Sequence, residues 1–488
     1  MLSQKQLLKN ATQMLVAKQY KKVVNLILPT LKAESEQTTL GASHALLGKA
    51  FYQLEEYTQA IDHLNAAITY LPKDDKLQYY LGLSYFAIRR LEMAKSCFQQ
   101  AIELNPKPEQ YFLNLAAVYR HMERLDSAEK CYREIIARAS NATKAYRNMS
   151  LCVRYTDLDH PDRSQIEHIL KNEKLSNEEK AQCYFSLGKI YRDCNKIEKG
   201  FDHYSNGNYF KNKDAQFNRM QYAQKILDIM NLFPPEQFQT KNVPLSPPSS
   251  SQPIFIIGIP RSGKTLVEKC LSTQSQVLAL EEFGIIDKQV FNTGRIHQYK
   301  NLFMDLKSEL NPKLISKFVY EYERQVQMRA LNSFSAFTDT TPCNFRYLGF
   351  IALMYPNAKI IHAMRNPFDH ILQIFFKYFS TGNFWAYDII NIIHYYNEYR
   401  KIMSYWQKVL PISIKEVRYE KMIENPIDVI QDLHQFAELE FKQTPALDNI
   451  IEPFHRQEIG LWETYKPFFA SFEYHLNKLN VYDILAPL

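Results

Sequence analysis

The chain has 488 residues, which is too long for one ordinary hydrophobic core and predicts two or three domains. Hydrophobic residues make up 46% and charged residues 23%, a globular composition, and only 13 glycines argue against a large all-β fold rich in tight turns. The net charge of +7 favours anionic ligands, but no long run of lysine and arginine is present, so we expect no nucleic-acid partner.

The N-terminal sequence MLSQKQLLKN lacks an apolar core and a small-residue cleavage site, so it predicts no signal peptide. The apolar run at 254–259 is too short to cross a bilayer. The seven cysteines are scattered without CxxC spacing, which is typical of free thiols in a reducing compartment. No cluster of histidine and cysteine has metal-ligand spacing. We therefore expect a cytoplasmic protein with no membrane span and no metal.

The first half of the chain repeats with a period of 34 residues. Small residues recur where two antiparallel helices would approach closely, large residues recur where they would fill the groove between units, and a proline ends the second helix. The aligned positions are Leu47, Leu81 and Leu115; Gly48, Gly82 and Ala116; Phe51, Tyr85 and Tyr119; Ala60, Ala94 and Ala128; Leu64, Phe98 and Tyr132; and Pro72 with Pro106.

This pattern resembles tetratricopeptide repeats. A further unit begins near Leu187, residues 143–176 form a degenerate unit interrupted by DHPD, and residues 4–40 form a capping unit. Because a repeat buries its faces only against its neighbours, we expect one continuous solenoid over residues 1–233. Two interpretations of its role stay open: its concave face binds a peptide or protein segment, or the array is only a scaffold or a dimerisation surface.

A stretch rich in proline and serine, PPEQFQTKNVPLSPPSSSQP, follows at 234–253. Such a composition ends the helical pattern and predicts a linker between domains. The second domain is then expected over residues 254–488.

The second domain opens with an apolar, β-branched run at 253–257 that predicts a buried parallel strand. The sequence GIPRSGKT follows at 258–265, and a helix is expected to start directly after it. Gly258 and Gly263 permit backbone angles that bring several N–H groups around an anion, and the helix N-terminus adds its positive dipole end. Strand, glycine loop and helix together predict a phosphate-binding loop.

Read literally, these eight residues match the GxxxxGK[ST] pattern of P-loop nucleotidases. Such an enzyme also needs an acidic residue after an apolar strand to hold Mg²⁺. The best apolar strand downstream, at 358–364, ends in Arg365, and the stretch that ends in Asp339 is weakly apolar. The second acidic motif of a nucleotidase is therefore poorly supported.

At these residues the second half resembles the sulfotransferases, above all bacterial ones fused to tetratricopeptide repeats and, more distantly, the protein-tyrosine sulfotransferases. The resemblance covers residues 253–472. The matching segments are IFIIGIPRSGKTLVEKCLS at 254–272, Glu282, DTTPCNF at 339–345, YPNAKIIHAMRNPFD at 355–369, and VRYE at 417–420 with IGLWETY at 459–465.

The resemblance implies that 3′-phosphoadenosine 5′-phosphosulfate donates a sulfuryl group and that no metal takes part. Arg365 would bind its 3′-phosphate, and Glu282, 21 residues after Arg261, would be the general base, with Glu281 as its rival. An arginine at the carboxyl end of a parallel strand also lies where open α/β sheets bind ligands. The expected donor contacts are Gly258, Arg261, Ser262, Gly263, Lys264, Thr265, Arg365 and Tyr419, and the expected catalytic residues are Glu282, Arg261 and Lys264.

Four positions depart from the family's pattern. Lys264 stands where the family has threonine, Thr340 where it has lysine, and Gln373 and Ala446 where it has serine. Lys264 would replace the charge missing at Thr340; equally, the donor differs or catalysis is lost.

The predicted fold is thus an all-α tetratricopeptide-like solenoid followed by a P-loop, parallel-sheet α/β domain. Three functions stay open: a sulfotransferase whose repeats recruit a protein acceptor, a P-loop kinase or nucleotidase, and an interaction protein with a degenerate transferase domain. The sequence does not identify the acceptor.

Overall fold

The computed structural model contains two compact units, Met1–Gly200 and Phe201–Leu488. No helix among the described residues is long and apolar enough to cross a membrane. The residues described are 4–33, 36–139, 141–239, 251–273, 276–291, 312–330, 332–442, 450 and 459–469.

The first unit consists of helices packed as successive antiparallel pairs. Its helices are α1 (Gln4–Val16), α2 (Tyr20–Ile27), α3 (Gln37–Gln53), α4 (Tyr57–Tyr70), α5 (Asp75–Ala87), α6 (Leu91–Leu104), α7 (Glu109–His121), α8 (Leu125–Arg138), α9 (Thr143–Met149), α10 (Pro161–Leu170) and α11 (Asn177–Asp193), with a 3₁₀ turn over Leu28–Ala33. Helix α12 (Ile197–Asp214) contains the point of division between the units.

The glycines of the repeat lie where the two helices of a pair touch. A Cβ atom on Gly48 would lie 2.6 Å from Cγ of Leu64, and one on Gly82 would lie 2.8 Å from Cε1 of Phe98. Real Cβ atoms do not come this close to a buried side chain, so each position excludes any larger residue. The close approach predicted from the 34-residue spacing is therefore present in α3–α4 and α5–α6.

The turns inside the pairs α3–α4, α5–α6 and α7–α8 each contain a residue with a left-handed backbone, which the sequence analysis did not predict. Glu55, Arg89 and Glu123 have φ angles of 63°, 63° and 59° and lie 34 residues apart. At each turn the next residue's N–H donates back to the carbonyl of a residue five positions earlier, for example Glu56 to Phe51 at 2.9 Å. A left-handed residue after a helix end allows such a bond, and it is more often glycine than glutamate or arginine.

The degenerate unit predicted at 143–176 has two short helices, α9 and α10. The DHPD interruption places Asp162 at the start of α10, where it is fully buried. Arg133 donates to Asp162 Oδ2 from Nη2 at 3.0 Å, and the Tyr155 hydroxyl donates to the same oxygen at 3.1 Å. A buried charge is tolerated because it is paired in this way, so the interruption is anchored to the preceding repeat.

The second unit alternates strands and helices around one sheet. Its strands are β1 (Gln252–Ile257), β2 (Val277–Ala279), β3 (Ala336–Asp339), β4 (Lys359–Met364) and β5 (Ile414–Arg418). Its helices are α13 (Arg219–Leu232), α14 (Glu236–Gln239), α15 (Lys264–Ser272), α16 (Ile285–Phe291), α17 (Pro312–Arg329), α18 (Leu348–Met354), α19 (Pro367–Phe375), α20 (Ile389–Val409), α21 (Tyr419–Glu424), α22 (Pro426–Phe436) and α23 (Leu461–Phe469), with 3₁₀ turns over Pro342–Tyr347 and Phe384–Tyr387.

The described strands form a parallel sheet in the order β2-β3-β1-β4-β5. The central strand β1 pairs with β3 and β4, and its residues 254–257 are fully buried. A strand covered on both faces reads as a continuous apolar run, as the sequence predicted. Because β1 and β4 are adjacent and parallel, Ile257 pairs with His362, and the loops that leave the two strands lie side by side.

Helix α13, which the repeat region was expected to contain, packs against α20 within the second unit. The rings of Tyr222 and Tyr395 stack with centroids 4.7 Å apart, and the Tyr405 hydroxyl donates to the carbonyl of Phe233 at 2.6 Å. Part of the predicted linker forms the short helix α14, and residues 240–250 lie outside the described residues. The domain limits at 233 and 254 stay predictions.

Candidate active site

The loop after β1 folds tightly around its two glycines. Gly258 has a φ of 150°, and a Cβ atom there would lie 2.4 Å from Oγ of Ser262 and 2.7 Å from the carbonyl oxygen of Ala363. Gly263 has a φ of 99°, and a Cβ atom there would lie 2.9 Å from Cδ2 of Tyr419. Both positions therefore require glycine, and helix α15 begins at the residue after the second one.

The loop fits an anionic group. The first amides of α15 point out of the helix N-terminus, whose partial positive charge favours anions. Ser262 is buried, and its Oγ has no hydrogen-bond partner among the described residues. Thr265 is exposed in the first turn of the helix, with its hydroxyl available to a ligand. A phosphate or sulfate at this end of the helix would satisfy both kinds of donor.

Lys264 is the first residue of helix α15, and its side chain turns back into the loop. Its side chain is 4% exposed, and Nζ donates to the carbonyl of Ile259 at 3.2 Å. Burial lowers the pKa of Lys264 to about 8, although the nearby carboxylates of Glu282 and Glu268 oppose the shift. The ammonium group is thus held inside the loop and is charged at neutral pH.

Glu282 lies on the segment that follows β2, with its side chain exposed. The preceding residue, Glu281, has a left-handed φ of 55°. Its N–H donates to Oε1 of Glu268 at 3.0 Å, and its carbonyl accepts from the N–H of Thr340 at 2.9 Å. Strained backbone of this kind persists where its surroundings hold it on several sides, and here both amide groups of Glu281 are held.

Glu268 is a site residue that the sequence did not mark. It is 2% exposed on α15, one helical turn after Lys264, and the hydroxyl of Thr338 also donates to its Oε1 at 2.7 Å. It therefore joins the loop helix, β3 and the segment that carries Glu282. The available signal was an acidic residue at the i+4 position from Lys264, on the face of α15 that the hydrophobic pattern buries.

Arg365 directly follows β4 and is 5% exposed. Its guanidinium lies 4.4 Å from the ring centroid of Tyr419, and Nη1 lies 3.5 Å from the carbonyl oxygen of Arg261. A guanidinium over an aromatic face gains a cation–π interaction. The structure thus brings Arg365 and Tyr419 against the loop at 258–265; their role as donor contacts stays a prediction.

Three of the four family departures lie in this site: Lys264, described above, Gln373 and Thr340. Gln373, in place of a serine, is 3% exposed, and its Oε1 accepts from Nη2 of Arg261 at 3.1 Å. Thr340, in place of a lysine, is 2% exposed and holds the backbone of Glu281 as described above. The glutamine therefore orients Arg261, whose φ of 73° is also left-handed. The fourth, Ala446, lies outside the described residues.

His370 supports the loop from helix α19. Its Nε2 lies 2.8 Å from the carbonyl oxygen of Pro260, so this nitrogen donates and Nδ1 is the unprotonated one. Burial, together with the positive charges of Arg365 and Lys264, lowers the pKa of His370 to about 3. The imidazole therefore adds a hydrogen bond to the loop without adding charge. A lone histidine in a helix gave no sequence signal for this role.

The C-terminal segment that resembles the family reaches the same region. Asp369 accepts from the N–H of Gly460 and from the N–H of Trp462, each at 2.8 Å. The indole of Trp462 stacks on the ring of Phe368 with centroids 4.7 Å apart. Two segments about ninety residues apart in sequence are thus joined directly behind Arg365.

Both carboxylate oxygens of Asp339 accept hydrogen bonds from neighbouring residues. Oδ2 accepts from the Tyr322 hydroxyl and Oδ1 accepts from the N–H of Thr341, each at 2.8 Å, and the side chain is 0% exposed. Burial raises the pKa of this carboxyl above its usual value. The group is therefore poorly suited to hold Mg²⁺, which prefers an ionised, accessible carboxylate. Among the described residues, no group of three His, Cys, Asp or Glu side chains is arranged to hold a metal ion.

Comparison with known proteins gives matches on both halves. Residues 253–443 match the model of the sulfotransferase family, and residues 48–88, 75–108 and 109–141 match tetratricopeptide-repeat models. An uncharacterized protein of Aquifex aeolicus (strain VF5) is 26% identical over 323 residues, which cover 62% of this chain and 42% of that protein. The chain thus matches less than half of the length of this relative.

Solved structures similar to the chain are helical repeat proteins. They include YrrB, described as a TPR protein with an unusual peptide-binding site (15% identical, 34% of this chain, 84% of that chain, TM-score 0.30), and MamA (18% identical, 39% of this chain, 96% of that chain, TM-score 0.28). At these TM-scores neither carries an argument about this chain. The family matches do: the chain is a tetratricopeptide-repeat protein that carries a sulfotransferase-family domain.

Proposed function

We propose that this protein transfers a sulfuryl group from 3′-phosphoadenosine 5′-phosphosulfate to a hydroxyl or amine acceptor. One observation carries the proposal: three cationic side chains meet at the carboxyl ends of the adjacent strands β1 and β4, and an exposed carboxylate lies close to them. The cations are Arg261, Lys264 and Arg365, and the carboxylate is Glu282. Open parallel sheets bind ligands at this edge.

The donor supplies the sulfuryl group, and this chain's residues bind and orient it. The amides of residues 258–265 and the Thr265 hydroxyl would bind the 5′-phosphate and the sulfate, while Arg365 would bind the 3′-phosphate. Arginine suits this task because its planar guanidinium donates two parallel hydrogen bonds to a phosphate. The ring of Tyr419 packs against that guanidinium and helps to hold its orientation, and Gly263 leaves room for the tyrosine ring.

Glu282 would accept the proton of the acceptor as the new oxygen–sulfur or nitrogen–sulfur bond forms and the bond between sulfur and the 5′-phosphate oxygen breaks, with 3′-phosphoadenosine 5′-phosphate as the leaving group. A positioned base of this type contributes about 10²–10⁴-fold to the rate. The hydrogen-bonded backbone of Glu281 fixes the position of Glu282. The negative charge of Glu282 acts on the ammonium group of Lys264. Of the two neighbours we assign Glu282, because its side chain is exposed and its charge acts on Lys264.

Lys264 and Arg261 would stabilise the charge that develops on the transferring group. Sulfuryl transfer resembles phosphoryl transfer, in which charge spreads over the equatorial oxygens and the protein acts mainly by positioning and electrostatics. An ammonium held in the loop before the donor arrives needs no reorganisation during the reaction. This gives Lys264 a function at a position where the family has threonine.

The repeat region would recruit a peptide or protein segment that carries the acceptor group. Support comes from the repeat-family matches, since arrays of this kind present extended surfaces to partners. The identity of the acceptor is not part of the proposal.

A P-loop nucleotidase or kinase is the second candidate, because the loop is a literal GxxxxGK[ST] match. The engaged, buried state of Asp339 argues against it, since β3 lies directly beside β1 and would be the strand to supply the metal-binding carboxylate. The third candidate is an interaction protein whose transferase domain is inactive.

Calorimetric titration of the full-length protein separates these candidates. The ligands are 3′-phosphoadenosine 5′-phosphate without metal and ATP with Mg²⁺. We expect metal-independent binding of the first and weaker binding of the second. A preference for ATP with Mg²⁺ supports the nucleotidase, and binding of neither supports the inactive domain.

A matched pair of variants then tests the base. With labelled donor and a panel of phenols, sugars and tyrosine peptides, Glu282→Gln should lose transfer by about 10²–10⁴-fold and still bind the donor. Glu281→Gln removes an equal charge from the neighbouring residue and should retain most transfer. Equal losses in both variants, or none in either, contradict the assignment.

A further inference from the structure

A cavity of about 480 Å³ lies at the carboxyl ends of β4 and β5, beside helix α20. No residue of the phosphate-binding loop 258–265 lines it, although Arg365 and His370 do. Its volume is within the range of small-molecule sites. The cavity therefore adjoins the proposed donor site and shares Arg365 with it, but it lies outside the loop at 258–265.

Two arginines from different elements line this cavity, Arg400 of α20 and Arg418 of β5. Both side chains are partly buried. In the part of the chain that the structure describes, neither guanidinium donates a hydrogen bond or has a carboxylate within 4 Å. Most partly buried arginines in proteins have such a partner, because removing the charge from water is costly without one.

The two arginines line the same cavity and both act on one residue of its wall. Burial raises the pKa of Tyr396, another residue of the cavity wall, to about 12; the positive charges of Arg400 and Arg418 act against that rise, and the negative charge of Glu420 adds to it. Both guanidinium groups therefore lie near the same phenol. An anion placed beside Tyr396 would be within reach of both.

Among the described residues, the carboxylates of the cavity wall form no ion pair within 4 Å of either arginine, although the charge of Arg418 acts on Glu416. Glu420 accepts from the N–H of Asn366 at 2.8 Å, so its carboxylate serves the start of α19. Glu416 accepts from Nε2 of Gln407 at 2.6 Å and lies 3.6 Å from Nδ1 of His362. Glu424 is exposed to solvent. Each carboxylate is engaged elsewhere or hydrated, and the two arginines keep their charge for a ligand.

The rest of the wall suits a ring. Tyr396, Tyr399 and Met403 are buried side chains of α20 that line the cavity, and together they offer a flat, largely apolar surface. We propose that this cavity is a second anion site, in which Arg400 and Arg418 bind the phosphate or sulfate monoester group of a small ring-bearing molecule. Guanidinium groups recognise tetrahedral oxyanions of either kind through paired N–H donors.

Calorimetry on the full-length protein tests the site, with phenyl phosphate and phenyl sulfate as probes. We expect one of the two to bind with a dissociation constant of roughly 1 mM or tighter. The probe that binds more strongly identifies the oxyanion. Stronger binding of phenyl phosphate, the dianion, indicates a phosphate site, and stronger binding of phenyl sulfate, the monoanion, indicates a sulfate site. Arg400→Gln and Arg418→Gln should each weaken that binding by roughly 10–100-fold, since each removes charged hydrogen bonds.

Two control variants distinguish binding at this site from a general effect of net charge and from binding at the loop 258–265. Lys401→Gln removes a positive charge from the exposed neighbour of Arg400 on the same helix, and it should leave binding unchanged. Arg261→Gln alters the phosphate-binding loop and should also leave it unchanged. If a glutamine variant unfolds, Arg400→Lys and Arg418→Lys keep the charge and should still weaken binding. Absence of binding to wild type up to roughly 10 mM overturns the proposal. So does a loss of binding in Arg261→Gln with none in Arg400→Gln and Arg418→Gln.

Discussion

The carboxylate of Glu268 accepts a hydrogen bond from the backbone N–H of Glu281 at 3.0 Å, across a gap of thirteen residues. One end of this bond is the helix that follows the phosphate-binding loop, and the other is the residue before the proposed base. The bond thus sets the distance between the group that would hold the donor and the group that would activate the acceptor.

Removing this carboxylate should loosen the segment around Glu281. Glu268→Ala leaves the buried N–H of Glu281 and the hydroxyl of Thr338 without their acceptor, at a cost of about 1–3 kcal/mol for each group. Hydrogen–deuterium exchange of the peptide at 277–284 should become faster. Glu268→Gln keeps a carbonyl oxygen in place and should retain most of the protection; equal exchange in wild type and Glu268→Ala would contradict the bond.

Donor affinity should fall at alkaline pH through Lys264. The lysine is charged below its pKa of about 8 and neutral above it, so binding of an anion should be strong near pH 7 and weaken as the pH rises. A bound anion raises the pKa of the lysine, so the midpoint should lie at or above pH 8. The measurement is the dissociation constant of 3′-phosphoadenosine 5′-phosphate between about pH 6.5 and 9.5, where the ligand's own charge is nearly constant because its second phosphate ionisation lies near 6.

Lys264→Arg is the control for this pH dependence, because arginine stays charged throughout the range. The affinity of this variant should be flat with pH. Burial also lowers the pKa of Lys225 to about 8. If the decline persists in Lys264→Arg, Lys225 or another group causes it and the assignment to Lys264 is wrong.

Arg365 should discriminate ligands by their 3′-phosphate. Arg365→Ala should weaken binding of 3′-phosphoadenosine 5′-phosphate by roughly 10–100-fold, because charged hydrogen bonds to one phosphate are lost. Binding of adenosine 5′-monophosphate, which lacks that group, should change little. Parallel titration of both ligands checks the assignment, and equal losses would mean that Arg365 acts through the fold of the loop.

Gly263 should tolerate no side chain. Gly263→Ala combines a left-handed backbone with a Cβ atom 2.9 Å from the Tyr419 ring, so the ring and the guanidinium stacked on it must move. We expect a lower thermal midpoint, with a cost of about 1–3 kcal/mol, and a loss of donor binding. Gly382→Ala is the matched control: its φ of 63° is also left-handed, but no atom lies within 4 Å of the added Cβ, so donor binding should be preserved.

The sequence predicted those parts of the site that depend on neighbouring residues. Strand, loop and helix at 253–271 are local, and each step is marked by its residue types. Arg365 was also predictable, because the carboxyl ends of parallel strands share one edge of a sheet. The 34-residue period likewise predicted the close helix contact at Gly48, since a repeated small residue implies a repeated approach.

Contacts between distant segments were not predictable in the same way. Gln373 reaches Arg261 across 112 residues, and Asp369 reaches Gly460 across 91, because the sheet order places their loops together. No local pattern encodes that order. The packing of α13 against α20 was not predictable for a related reason. The spacing of apolar residues in α13 predicts a helix with one buried face, but it does not say which unit of the chain buries that face.

The left-handed turns at Glu55, Arg89 and Glu123 are positions where substitution by glycine would relieve an unfavourable backbone conformation, one repeat at a time. Each non-glycine residue in that conformation costs about 1 kcal/mol relative to glycine. The three turns are 34 residues apart and belong to different helix pairs, so gains from glycine at each should add. At Arg89 the gain is partly offset, because glycine there would remove the contact between Nη1 of Arg89 and Nδ1 of His121 at 3.0 Å. The three turns therefore hold a backbone cost that substitution can release one repeat at a time.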